Sequence, residues 1–380
     1  MILPAEPGRK PATGDRAAIF ALGFRPFYLL AGAYAALGVP LWALQYLGWL
    51  PGADPLWHAH EMLFGYAFAV IAGFLLTAVR AWTGMPTPTG AALAAIAALW
   101  LGARVLALFS LPVAAAVDAV FALAVAWGIG RPLIASRNRN WFFIVLVLAL
   151  GAASIAFQAL PRVALAIGLD LVLLVMVIMG GRVIPGFTNN AVPGAGARRV
   201  AALETACVAS ILLLLAIDFL DSNISALVAL AAAGLHSARL ALWAPLKTRA
   251  NPILWILHLS YAWIVVHLAL RGCAGFGLAP TALAIHALTV GAVGGLTLGM
   301  MTRTARGHTA RPLKAGRAEV TAYVLVQFAA AIRVFLPLLL PSAYMAAVML
   351  SATLWSAAFI VFVIAYYPIL SRPRLDGQPG

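Results

Sequence analysis

The sequence predicts an all-α protein, a polytopic transmembrane helical bundle of about 12 spans, and three observations carry that prediction. The first is composition. Of 380 residues, 64% are hydrophobic and only 9% are charged, and the mean hydropathy is +0.99. A soluble domain carries about a quarter charged residues, so most of this chain faces something other than water. The second is segmentation. A helix crosses a hydrocarbon core in about 20 apolar residues. Such runs occur at 27–48, 60–80, 90–110, 112–130, 141–160, 163–184, 200–219, 223–243, 252–270, 280–302, 318–340 and 342–368.

The third is the placement of charge. A formal net charge of +14 would point to nucleic acid in a soluble protein. Here the charges follow the spans. With the N-terminus inside, the inner segments hold 21 of the 25 Lys and Arg, leaving Arg162 and Arg271 in outer loops and Arg104 and Arg333 within spans. That bias needs an even number of spans and sets orientation. It implies a bacterial-type inner membrane with both termini cytoplasmic, lipid as the bulk partner, and no role for nucleic acid.

The expected organisation is a cytoplasmic segment over 1–26, one bundle over 27–370 and a cytoplasmic tail over 371–380. No connection is long enough for a separate domain. The polar first 18 residues, followed by a full span, speak against a cleavable signal peptide. Cys207 and Cys273 lie apart with no CxxC spacing, which disfavours a disulfide framework or a thiolate metal site. Gly291, Gly294, Gly295 and Gly299 in the tenth span would allow close approach by either a helix or a flat cofactor.

Ionisable side chains inside a membrane are costly and are therefore functional candidates. Imidazole is the commonest axial ligand of haem and a frequent ligand of copper. His58 and His60 stand at the outer mouth of the second span, in Trp57-His58-Ala59-His60-Glu61. His286 lies about 9 Å into the tenth span, and His267 lies near the outer end of the ninth. These four could form one outer cluster. His236 and His258 sit at similar depth near the inner ends of consecutive spans and could form a second pair. His258 and His267 point to opposite helix faces. Positions i and i+2 of a regular helix diverge by about 200°, so His58 and His60 share a metal only if the helix start is irregular. Each histidine could equally be a hydrogen-bonded core residue.

Glu61, the only acid in its span, is a candidate proton carrier, or else a favourable charge at a helix start. Asp118 and Asp170 are buried candidates for pairing with Arg104 and Arg333. Arg182, in Gly181-Arg182-Val183-Ile184-Pro185, and Arg303, in Met300-Met301-Thr302-Arg303, sit at inner helix mouths. Arginine there suits an anionic group such as a haem propionate, although orientation alone would also place it. Met300 and Met301 are either soft copper ligands or ordinary core.

Several motifs together resemble one family over nearly the whole chain. They are Gly23-Phe24-Arg25-Pro26-Phe27, the Trp57–Tyr66 run, Gly73–Val79, Gly181–Pro185, Leu257-His258-Leu259, His286–Ala292, and Met301-Thr302-Arg303 with Gly307-His308-Thr309. The family is NnrS. The resemblance implies a twelve-span protein with haem b and copper that interacts with nitric oxide in bacterial nitrosative stress. Carried over by motif, the metal and cofactor ligands are His58, His60, His258, His286 and His308; His236 and His267 lie outside the motifs. Ala310 stands where the family pattern has glycine. The first expected function is reduction of nitric oxide to N2O, with Glu61 carrying protons and quinol or a periplasmic carrier donating electrons. One alternative is a non-catalytic protein that scavenges nitric oxide or protects metal centres. The other is a metal or haem transporter, which the number of histidines disfavours.

Overall fold

A computed structural model describes residues 18–51, 54–217 and 222–378. Arg9, Lys10 and Arg16 of the positive-inside pattern lie outside the described residues. Twelve long helices succeed one another: α1 Phe24–Tyr46, α2 Pro55–Thr83, α3 Gly90–Leu106, α4 Leu111–Ala135, α5 Arg139–Ala156 and α6 Pro161–Ala191, then α7 Ala201–Ile217, α8 Ser222–Leu242, α9 Pro252–Gly275, α10 Thr281–His308, α11 Arg317–Leu339 and α12 Pro341–Leu370. No strand occurs among the described residues. Each helix overlaps the apolar run that predicted it. Ten are long and apolar enough to cross a membrane, making this a multi-pass membrane protein, while α3 and α7 have 17 residues each. At about 1.5 Å per residue, those two span about 25 Å.

Most sequence neighbours are also neighbours in space, as short connections require, and α1 packs against α12 to bring the two ends of the bundle together. Helices α2 and α10 lie innermost: 83% and 72% of their apolar windows are buried, against 33–61% for the other eight long spans. Proline in the first turn starts α2, α4, α6, α9 and α12. Its missing N–H would have no partner there in any case. Asp54 caps α2 by accepting from Leu56 N at 2.8 Å.

Both inner helices change geometry directly after a motif histidine. Beyond His60, α2 winds as a π-helix over Glu61–Ala67, and beyond His286, α10 does so over Ala287–Gly294. A π turn inserts an extra residue and so rotates the C-terminal part of the helix relative to its N-terminal part; such turns gather at functional sites. Apolar periodicity carries no sign of either.

Buried polar groups lock the opposite end. Arg25 Nη1 donates to the carbonyls of Leu370 and Arg372 at 2.8 and 2.7 Å, closing the C-terminus of α12 onto the start of α1. Glu319 accepts from Arg306 at 2.5 Å and from Tyr366 at 2.7 Å, joining α10, α11 and α12. The glycines of α10 serve packing. A Cβ on Gly291 would meet Trp263, on Gly294 Trp355, on Gly295 Ser260, and on Gly299 Leu257, all within 3 Å. Close helix contact, rather than a flat ligand, accounts for that stripe.

Helix α10 ends in a Schellman turn. Arg311 N donates to Arg306 O at 2.9 Å and Ala310 N to Gly307 O at 3.3 Å. This requires the left-handed φ of +58° found at Ala310, the position where the family pattern has glycine. A Cβ there costs about 1–2 kcal/mol, only partly offset by the greater unfolded-state freedom of glycine. Ala310→Gly should therefore stabilise the detergent-solubilised protein by about 0.5–1 kcal/mol, read as a higher midpoint of thermal unfolding; an unchanged or lower midpoint would show that the turn is not strained.

Candidate cofactor site

The two histidines of the second span part company. His60 turns inward against α4 and α5, where Nδ1 meets Glu61 Oε1 at 2.9 Å and Nε2 meets Ser154 Oγ at 2.9 Å. Around this pair the bundle closes a buried ionic cluster. Arg104 Nη1 reaches Glu61 Oε1 at 2.8 Å, its Nη2 bonds Asp118, and Tyr34 donates its hydroxyl to Glu61. His60, Glu61 and Asp118 are fully buried, and Arg104 is 3% exposed. The cluster ties α1, α2, α3, α4 and α5 together through groups that have no water to turn to. Both ring nitrogens of His60 are thus engaged within the cluster.

His58 points the other way, as an i and i+2 pair in a regular helix must. Its ring stacks on Trp42, with centroids 4.1 Å apart and planes 23° apart. It lines a cavity of about 300 Å³ between α1, α2, α6, α10, α11 and α12. That volume falls within the range of small-molecule and cofactor sites. His286 lines the same cavity from α10. Its Nδ1–H donates to Ala282 O at 2.6 Å, which fixes the ring and leaves Nε2 with the lone pair. Such a backbone bond is the usual way a ligating histidine is oriented. His58 Nδ1 is buried without a partner, and neither Nε2 hydrogen-bonds another described residue. Rings of Trp42, Tyr66 and Trp355 form much of the apolar wall.

Arg333 also faces this cavity. Its Nη2 donates to Tyr344 OH at 3.2 Å, while the buried Nη1 has no partner. The expected pairing of Arg333 with Asp170 is corrected by the structure: Asp170 accepts from Arg271 at 2.6 and 3.1 Å, because Arg271 lies within α9 rather than in a free loop. The pairing of Arg104 with Asp118 is the one found.

The remaining candidates are dispersed. His258 Nε2 bonds Thr188 Oγ1 at 2.8 Å, and its Nδ1 is unpartnered. His236 bonds Tyr261 OH at 2.6 Å, and His267 donates to Ala284 O at 2.8 Å. His308, at the arginine-rich end, packs its ring 5.6 Å from that of Phe24. None of these four lines the cavity with His58 and His286. Arg303 lies 3.8 Å over the ring of Phe187, and Arg182 bonds Asn140 at 2.6 Å; neither reaches that cavity. Met301 is buried. Met300 lines a smaller apolar cavity of about 90 Å³ with Met176 and Met179, which meets the larger one at Ala67 and Val293.

The NnrS protein family model matches residues 18–374. The chain belongs to the NnrS family. No curated protein matches it. Within this NnrS chain the residues that line the His58–His286 cavity are of the kinds that suit a haem: two imidazoles from different helices, aromatic walls and a buried guanidinium. Among the described residues no group of three or more His, Cys, Asp or Glu side chains is arranged to hold a metal ion; His60, Glu61 and Asp118 do converge, but on Arg104. Sequence reasoning weighed Arg333 only as an ion-pair partner; its place within a span was the available signal that it could do more, because a charge there is a functional candidate by default.

The cluster around Arg104 makes a stability prediction for this NnrS chain. Removing one partner of a buried ion pair strands the others and costs about 3–5 kcal/mol. Arg104→Met should lower the thermal stability of the solubilised protein by that order. Adding Glu61→Gln and Asp118→Asn should restore part of the loss. If the triple variant is no more stable than Arg104→Met, the ionic account of the cluster is wrong.

Proposed function

We propose that this protein binds haem b in the cavity lined by His58 and His286, with one imidazole on the iron and the other beside it, and reacts there with nitric oxide. The observation that carries the proposal is that those two imidazoles, each with an open Nε2, line one aromatic cavity. Family membership supports the choice of haem and of nitric oxide. Bound haem would supply an iron that coordinates nitric oxide and passes electrons.

The protein's own groups have distinct tasks in this reading. The Ala282 carbonyl holds the His286 ring in the ligating tautomer, and Trp42 holds the plane of His58. Arg333 Nη1 is placed to receive a carboxylate of the cofactor, which would satisfy both groups at once. Trp42, Tyr66 and Trp355 exclude water, which keeps the site accessible to an apolar gas dissolved in lipid. Reduction of two nitric oxide molecules to N2O and water takes two electrons and two protons. The electrons would come from quinol or a periplasmic carrier.

Glu61 does not line the cavity. Its cluster, Tyr34–Glu61–His60–Ser154, is a chain of exchangeable protons beside Met62 and Leu63, which do. Glu61, ionised against Arg104, would therefore pass protons along this chain near the site rather than touch the reacting atoms.

Absorbance of the purified protein tests the reading directly. His58→Ala and His286→Ala should each lose most of the haem Soret band, whereas His60→Ala, His258→Ala and His308→Ala should keep it. Full haem retention in both cavity variants would overturn the site. Reduced protein should then consume nitric oxide with formation of N2O; stoichiometric uptake without N2O would leave a binding protein in place of a reductase.

A further inference from the structure

A second large concavity lies at the arginine-rich end of the bundle, away from the haem cavity. Helices α5, α6, α7 and α8 enclose a cleft of about 680 Å³. Its walls are apolar over Leu146, Leu174, Ile178, Val208 and Leu212, and its end is formed by Arg182, Arg199, Glu204 and Arg239. Leu212 is 47% exposed and Trp141, at the mouth, 58%. The cleft thus opens sideways to the surrounding hydrocarbon and not into the bundle.

The charges at its end are unbalanced. Arg239 is fully engaged: it bonds Glu204, the Val177 carbonyl at 3.0 Å and Tyr261 OH at 2.9 Å. Glu204 is thereby neutralised. Arg199 comes no closer to it than 3.8 Å and is 51% exposed. Arg182 donates only to the neutral Asn140 among the described residues, while Arg139 and Arg199 act on it as like charges. Arg182 and Arg199 therefore stand as like charges at the end of an apolar groove whose one lining carboxylate, Glu204, is taken at closer range by Arg239. An anion is the missing component, and the apolar walls require that it carry hydrocarbon.

We propose that this cleft binds an anionic phospholipid, with its phosphate on Arg182 and Arg199 and one acyl chain along Leu174, Ile178, Val208 and Leu212. Dimensions agree. From Arg182 to Leu174 is eight residues of α6, about 12 Å of helix, which accommodates most of a chain in one leaflet. Trp141 and Phe142 stand at the junction of headgroup and hydrocarbon, the depth that tryptophan favours. Basic pockets between spans on the anionic face of a membrane recognise such headgroups. Arg182 accordingly serves lipid, and the propionate role expected of it passes to Arg333.

Native mass spectrometry of the full chain in detergent, titrated with phosphatidylglycerol or phosphatidylcholine, tests this. Phosphatidylglycerol should bind at least tenfold more tightly. The Arg182→Gln/Arg199→Gln variant should weaken it by about 25-fold, at about fivefold per arginine, and leave phosphatidylcholine unchanged. Leu212→Trp, which fills the groove without altering charge, should weaken it as well; a merely basic surface would be indifferent to that change. Should the double variant fail to fold, half-exposed Arg199→Gln alone carries the charge test, with an expected fivefold loss. Equal affinity for the two lipids, or unchanged phosphatidylglycerol binding in the charge variants, overturns the proposal. So does complete displacement by millimolar inorganic phosphate, which would identify a free-phosphate site.

Discussion

A guanidinium placed in the middle of a membrane bundle has no water to fall back on, and at Arg104 two carboxylates, Glu61 and Asp118, meet it. Breaking such a buried set is far more costly than forming it is favourable, so the set acts as a constraint on everything attached to it. Glu61 holds His60, and Ser154 holds its other face. Once His60 is committed to that side of α2, helical geometry sends His58 to the other. The cavity thus owes one of its two imidazoles to an ionic cluster that does not line it.

The same logic extends to the other central helix. On α10 a backbone carbonyl, rather than an ion cluster, sets the imidazole: Ala282 O takes the Nδ1 proton of His286. In both helices the histidine segment runs directly into a π-helical turn, which rotates the part of the helix that follows relative to the histidine. Large side chains then pack against glycine further along α10, Trp263 on Gly291 and Trp355 on Gly294. Trp355 is shared, forming cavity wall on one side and helix contact on the other. Helix packing and the shape of the cavity are therefore coupled along α10.

The two ends of the molecule divide their charges differently. Around Glu319 and Arg25 the buried cationic contacts find a carboxylate or a helix C-terminal carbonyl, and the effect is closure of the bundle. Beside α5, α6 and α7 the arginines outnumber their partners, and the excess faces lipid. A positive-inside bias explains why arginine is found at that end, but not why three should converge on one apolar groove.

Composition, apolar run lengths and the distribution of Lys and Arg were enough to establish an all-helical, multi-pass bundle and the order of its helices, although several helix ends, such as Ala191 and His308, lie well beyond the apolar runs. Those quantities depend on the solvent each segment meets, and solvent preference is a local property of sequence. The motif histidines were also visible, and the resemblance led to an expectation of glycine at position 310; the left-handed turn that the structure shows there supplies the physical reason. Which histidines meet was not visible. Seven imidazoles at several depths allow many pairings, and only tertiary structure decided that His58 and His286 share a cavity, that His60 belongs to Arg104, and that Asp170 answers Arg271 instead of Arg333. Side-chain direction depends on helix rotation, and rotation is set by buried polar partners distant in sequence, together with π turns that leave periodicity unmarked.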